Sequence, residues 1–363
     1  MIFPKKKAIN KIKYQINDKE FAQKEKKCEI CYSKETVLFQ NCGKIGNSPG
    51  KYGYLPIKIC KKCNLKFISP RPSNEFYKKF FNLDYGATYY GSKYKPNKSH
   101  ITFQKFRGKL IFNFFKKYIN KNDKILDHGC STGLTMIPWK KAGFQINGID
   151  PHRPSVNYGK EKYKLNIDFA FGEKLPYQNN SYGSVISLGS LEHCFDLNKC
   201  LSEINRILTL NGTLIIRWRS DKLIGSPLEY FGYNTLKFFN KSTWKYALNK
   251  NNFKISKLIK KKVEGYDSFE YIVAKKVKKV KKFKINKSFK NEIIKFKKHY
   301  KYYQKLCLEI EKSKNNNSMK FKRKFIKKNK IGLMNIGARK SINRFFDETR
   351  FFLSFMRNFK KIY

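Results

Sequence analysis

The chain has 363 residues, with 80 Lys and Arg against 26 Asp and Glu and a formal net charge of +54. That length holds one full α/β domain with small attachments. No stretch has the apolar length of a membrane span, and the opening MIFPKKKAINKIKYQ has Lys where a secretory signal needs an apolar core. The nine cysteines, four of them in paired knuckles, suit a reducing compartment with metal in place of disulfides. Cys130, Cys194, Cys200 and Cys307 then read as ordinary thiols.

Residues 1–27 are a basic tail. Cys28-Glu29-Ile30-Cys31 and Cys60-Lys61-Lys62-Cys63 follow as two Cys-x-x-Cys knuckles about 28 residues apart. Two residues between thiolates let both sulfurs reach one tetrahedral ion, and four such ligands close a structural zinc site. A zinc ribbon is therefore expected over 28–73. Cys28, Cys31, Cys60 and Cys63 would be the ligands and Cys42 a bystander. Residues 74–119 read as an aromatic linker and leading helix. Phe76, Tyr77, Tyr85, Tyr89 and Tyr90 there would either line an acceptor pocket or pack the ribbon onto the next domain.

The stretch ILDHGCSTG, Ile125 to Gly133, reads as a buried strand entering a tight turn with small residues at Gly129, Ser131 and Gly133. Such a turn brings a cofactor against backbone at the carboxyl edge of a parallel sheet. A second strand, FQINGID, ends in Asp150, placed to receive ribose hydroxyls. Asp127 could attract a cofactor ammonium or simply cap the following helix, and Asp150 could be only a turn residue before Pro151.

Further segments extend the pattern in order. They are Gly172-Glu173-Lys174-Leu175-Pro176-Tyr177, Ser187-Leu188-Gly189-Ser190-Leu191-Glu192-His193, Leu201 to Leu208, and Asn211-Gly212-Thr213-Leu214-Ile215-Ile216. With the glycine turn, they resemble the Rossmann-like, class I S-adenosylmethionine (SAM) dependent methyltransferases. The resemblance implies an α/β fold, with a sheet flanked by helices on both faces over 120–276. It also implies SAM and a structural Zn2+ as cofactors. Cofactor-binding residues would be Asp127, Gly129, Ser131, Gly133, Asp150, Phe171, Gly172 and Leu188. Ser131 replaces the family's middle glycine, and Phe171 stands where an acid often meets adenine. The ribbon followed by Asn64 to Ser73 resembles bacterial methyltransferases of surface or nucleotide-linked sugars.

Methyl transfer is an in-line displacement that depends on positioning. An oxygen acceptor must also lose a proton, and His193 is the candidate base with Glu192 second. Alternatively, both residues only shape the loop. Arg217 and Arg219 leave the fifth strand where an acceptor would sit and, with Tyr233, are candidate substrate contacts. Solvated surface is the alternative for both arginines.

Residues 277–363 form a basic helical extension. From Lys275 onward there are roughly thirty Lys and Arg against about five acids. Phe345, Phe346, Phe352, Phe355, Met356 and Phe359 fall on one helical side, and the tail would be docked as core on its own domain or a partner, laid on an anionic membrane surface, or, less favoured, bound to nucleic acid. The charge excess elsewhere is spread along the chain and coincides with abundant Asn, Ile, Phe and Tyr. This favours AT-rich codon bias over a dedicated polyanion site. The leading expectation is a cytoplasmic bacterial enzyme, peripheral at the inner membrane face in one version, that methylates a small-molecule or glycan acceptor. The alternatives are an RNA or DNA methyltransferase, or a non-catalytic scaffold of the same fold. Oligomeric state is left open.

Overall fold

The computed structural model describes residues 25–44, 52–86, 95–219, 231–232, 234–260, 263, 269–280, 283, 285, 288–312, 318–329, 342–343 and 345–346. In chain order these form β1 (Thr36–Lys44), β2 (Tyr52–Cys60), β3 (Lys66–Ile68), α1 (Asn74–Lys79), α2 (Lys98–Phe115), β4 (Lys124–His128), α3 (Ile137–Lys141), β5 (Gln145–Asp150), α4 (Arg153–Tyr163) and β6 (Ile167–Phe169). They continue with β7 (Tyr182–Leu188), α5 (Leu197–Ile207), β8 (Leu208–Arg219), β9 (Lys237–Phe238), α6 (Lys241–Lys250), β10 (Phe253–Ile259), β11 (Phe269–Lys276), α7 (Phe289–Lys312) and α8 (Met319–Lys328).

The central sheet has seven strands in the order β10-β11-β8-β7-β4-β5-β6. β4, β5, β6, β7 and β8 are parallel, while β11 runs antiparallel to both β8 and β10. The chain builds outward from β4 in one direction and restarts at β7 in the other. The switch point therefore lies between β4 and β7, where open α/β sheets bind ligands beyond the strand ends. β4 and β7 are almost continuously buried, as expected of central parallel strands covered on both faces. The fold class is the one the sequence led us to expect.

A smaller sheet, ordered β1-β2-β3-β9, carries the cysteine knuckles. Its fourth strand comes from residues 237–238, far along the chain, so this small sheet is completed by a segment that follows β8 of the central sheet. The two units also share one apolar cluster, in which Cys28, Ile30, Cys60, Cys63, Leu65 and Phe67 pack with Leu197, Leu201, Phe239 and Trp244.

Side-chain caps set several helix starts. Asp196 accepts the Lys199 amide before α5 at 3.1 Å, and Asn240 accepts the Thr243 amide before α6 at 2.8 Å. α5 then turns Leu197, Cys200, Leu201, Ile204 and Ile207 inward at helical spacing.

The basic extension is partly docked core. Phe296 of α7 packs 4.8 Å from Phe39 of β1, and Lys66 pairs with Glu292 at 2.6 Å. Phe345 and Phe346 are buried with Tyr303, Leu306, Phe325 and Ile326. For these two rings the docked reading of the aromatic stripe holds. Phe352, Phe355, Met356 and Phe359 lie outside the described residues. Among the described residues no helix is long and apolar enough to cross a membrane.

Candidate active site

The glycine turn follows β4 directly. Gly129, Ser131 and Gly133 all have positive φ, at 76°, 53° and 70°. A Cβ on Gly129 would lie 2.3 Å from the Cβ of Ser190, so the turn after β4 and the loop after β7 touch there. Ser190 Oγ donates to the His128 carbonyl at 2.8 Å and so joins the same two loops. Ser131 holds a left-handed conformation that costs an L-residue roughly 1 kcal/mol or more. Its amide is fixed by donating to Asp150 Oδ2 at 2.7 Å.

Asp150 ends β5 with its other oxygen, Oδ1, accepting the His152 amide at 2.8 Å. Asp127 lies beside it on β4, with Oδ2 accepting from Thr135 Oγ1 at 2.8 Å. Both carboxyls are buried, and burial pushes each up to about 6. Arg107 of α2 opposes this at Asp127 and donates to the Leu188 carbonyl at 3.3 Å. Asp127, Asp150 and Leu188 thus close the ends of β4, β5 and β7. Two buried carboxylates here are suited to a ligand bringing both a cation and a pair of hydroxyls, which is the polar equipment of SAM.

Gly172 is required by contact: a Cβ there would stand 2.4 Å from His128 Nε2. Phe171 is half-buried, its ring 5.6 Å from Phe195 and 6.1 Å from Phe169. An aromatic surface therefore stands at the position where an acid was absent.

His193 sits in the loop after β7, beside an aromatic wall. Phe81 and Tyr85 present ring contacts to it at 6.0 and 6.2 Å. Tyr85 also reaches His152 at 6.3 Å, and the Gly86 amide donates to His152 Nε2 at 3.2 Å. His193 Nδ1 donates to the Asn234 carbonyl at 2.5 Å. This bond fixes the tautomer, so Nε2 keeps the lone pair. Burial lowers the pKa of His193, with Glu192 opposing, so the ring is neutral near pH 7. Glu192 is buried. The aromatic linker thus divides its roles: Tyr77 is fully buried seam, while Tyr85 faces the site. Tyr89 and Tyr90 lie outside the described residues.

Arg217 is buried and donates to the Leu188 carbonyl at 2.8 Å, with its guanidinium stacked 4.1 Å over Phe269. Arg219 is exposed at the end of β8. Tyr233 lies outside the described residues.

The four knuckle sulfurs gather within 4.8 Å of one another. Both knuckles use the same turn. Tyr32 and Asn64 each have φ near +60°, and each donates its amide back to the first cysteine's carbonyl, at 2.8 and 3.0 Å. The side chains missed from sequence are Thr135, Ser190, Arg107 and Arg71. Ser190, Arg107 and Arg71 act across closures of 62 to 124 residues that no local spacing signals, whereas Thr135 reaches Asp127 from only eight residues along the chain.

Residues 126–216 match the family described as a methyltransferase domain. The ubiquinone/menaquinone biosynthesis C-methyltransferase UbiE of Campylobacter jejuni is 25% identical over 188 residues, covering 46% of this chain and 80% of that protein. The ubiquinone biosynthesis O-methyltransferase of Pelagibacter ubique is 28% identical over 100 residues, covering 26% of this chain and 42% of the relative. Among solved structures, a SAM-dependent methyltransferase of Methanosarcina mazei aligns at 15% identity and a TM-score of 0.38, covering 45% of this chain and 96% of that one. The matched domain and its methyltransferase relatives support a SAM-dependent methyltransferase, built on the Rossmann-like sheet described above.

Proposed function

We propose that the enzyme methylates an oxygen of a small acceptor, of the nucleotide-linked or lipid-linked sugar kind, with His193 as the base. The observation that carries this reading is the imidazole itself. It is neutral, fixed by Nδ1 to the Asn234 carbonyl, and set against Phe81 and Tyr85. Asp150 would hold the ribose hydroxyls, Asp127 the ammonium, and Phe171 with the backbone of Gly172 the adenine. When bound, SAM supplies a methyl group on a cationic sulfur. The chain's own part is to orient the acceptor, exclude water with the aromatic wall, and accept the hydroxyl proton at His193 Nε2. The knuckle sulfurs suit a structural zinc, whose Zn–S bonds of about 2.3 Å would space them roughly 3.8 Å apart. A closed four-sulfur site leaves no position for substrate.

The test is release of S-adenosylhomocysteine with panels of sugar nucleotides and of phenolic quinone precursors, the latter because the Campylobacter jejuni and Pelagibacter ubique relatives are methyltransferases of quinone biosynthesis. With the productive acceptor, His193→Ala is expected to lose about 10²–10⁴ in turnover while SAM affinity stays within about twofold. Unchanged turnover removes His193 as the base.

The basic extension would rest on an anionic membrane surface. In support, Ile294, Lys298, Lys301, Tyr302, Lys305 and Leu308 form one exposed stripe along α7.

A further inference from the structure

Glu29 lies between the two cysteines of the first knuckle, yet its carboxylate faces the catalytic loop. Only 10% of its side chain is exposed, and it is ion-paired with Arg71 Nη1 at 2.6 Å and Lys237 Nζ at 2.9 Å. Both cations are themselves buried, with side-chain exposures of 4% and 0%. Each continues past Glu29 to a carbonyl of one loop. Arg71 Nη2 donates to Phe195 O at 3.1 Å, and Lys237 Nζ donates to Cys194 O. These are the two carbonyls immediately after His193.

The other side of that loop is held as well. Glu173 Oε1 accepts the amides of Phe195 and Asp196 at 2.5 and 3.2 Å. The Leu236 amide donates to Glu192 O at 3.0 Å, and the Ile68 amide of the ribbon sheet donates to Leu236 O at 3.2 Å. Asn198, the second residue of α5, donates through Nδ2 to the carbonyls of Glu29 and Ile30. The first knuckle and the 192–198 segment are thus joined by side chains and by the β3–β9 pairing.

A buried triad of one anion and two cations is a costly way to fill space, and apolar residues of similar volume often serve stability as well or better. What charges add is direction: each hydrogen bond fixes one carbonyl at one angle. We propose that Glu29, Arg71 and Lys237 are positioning residues. Through them the cysteine ribbon sets the orientation of the loop that carries His193. This rests on the reading of His193 as the base only for its catalytic consequence.

The test uses the full chain in its metal-loaded form, labelled with 13C at histidine Cε1. The His193 signal is assigned by its loss in His193→Ala. In Glu29→Gln at unchanged metal content, the His193 resonance is expected to move. Amide exchange over 191–196 should accelerate about tenfold or more. The His128 resonance, exchange over 124–133 and sinefungin affinity should all stay as in the wild type. If Glu29→Gln loses its metal, Lys237→Gln, which lies outside the knuckle, carries the same expectations. An unmoved His193 resonance with unchanged exchange over 191–196 overturns the proposal. So does a change spread equally over 124–133, because that is general loosening. Normal turnover in His193→Ala together with a moved resonance in Glu29→Gln would dismiss the base and leave the positioning intact.

Discussion

Asp150 Oδ2 accepts the amide of Ser131 at 2.7 Å, a side-chain tie that adds to the two bonds by which the Gly129 and Cys130 amides reach the Ile149 carbonyl at the end of the second parallel strand. The turn needs the tie because Ser131 has φ of 53° and no glycine freedom to hold it there. Ser131→Gly relieves the strain at the expense of a more mobile unfolded chain. The gain from relief is the larger of the two, so the variant is expected to be more stable by up to about 1 kcal/mol. Urea unfolding of the two proteins checks it, and a destabilised variant counts against the strain.

Asp127 and Asp150 make ligand binding sensitive to pH. Burial raises both to about 6 from an ordinary 3.8, so ionising them costs the folded protein more than the unfolded one. Their contribution to the stability of the ligand-free protein is therefore full below about 4 and is lost as pH rises through 6. A cationic ligand needs them ionised and works in the opposite sense. Sinefungin affinity is expected to weaken about tenfold per pH unit below 6 for each carboxylate that must be charged. A dissociation constant that is flat from pH 5 to 8 would contradict this.

Local spacing made the catalytic core and the knuckles readable. The glycine turn, the terminal Asp150 and each Cys-x-x-Cys are encoded within a few residues, and all appear where their spacing placed them. Contacts closed over long loops had no such signal. Nothing around Glu29 announces Arg71 or Lys237, and nothing around Lys237 announces a strand completing the ribbon sheet. Arg217 was legible as a cation at a strand end, but not its stacking on Phe269, which depends on the antiparallel pairing of β11 with β8. The aromatic extension read ambiguously because one apolar stripe serves docking and membrane binding equally. The burial of Phe345 and Phe346 becomes visible only with α7 and α8 beside them.

The exposed stripe of α7 is tested by flotation on vesicles of phosphatidylcholine with phosphatidylglycerol. Lysines near an anionic surface contribute about 1 kcal/mol each. Replacing Lys298, Lys301 and Lys305 together by Glu is expected to cut recovery in the floating fraction by tenfold or more. Equal recovery of both proteins removes the membrane surface as partner.

The most direct measurement is calorimetric titration of the intact protein with sinefungin at pH 7.5, beside Asp150→Ala. One site per chain is expected in the wild type, with affinity falling by roughly thirtyfold or more in the variant as charge-assisted ribose hydrogen bonds are lost. Equal affinity in the two proteins, or no heat in either, would contradict a cofactor held at the ends of β4 and β5.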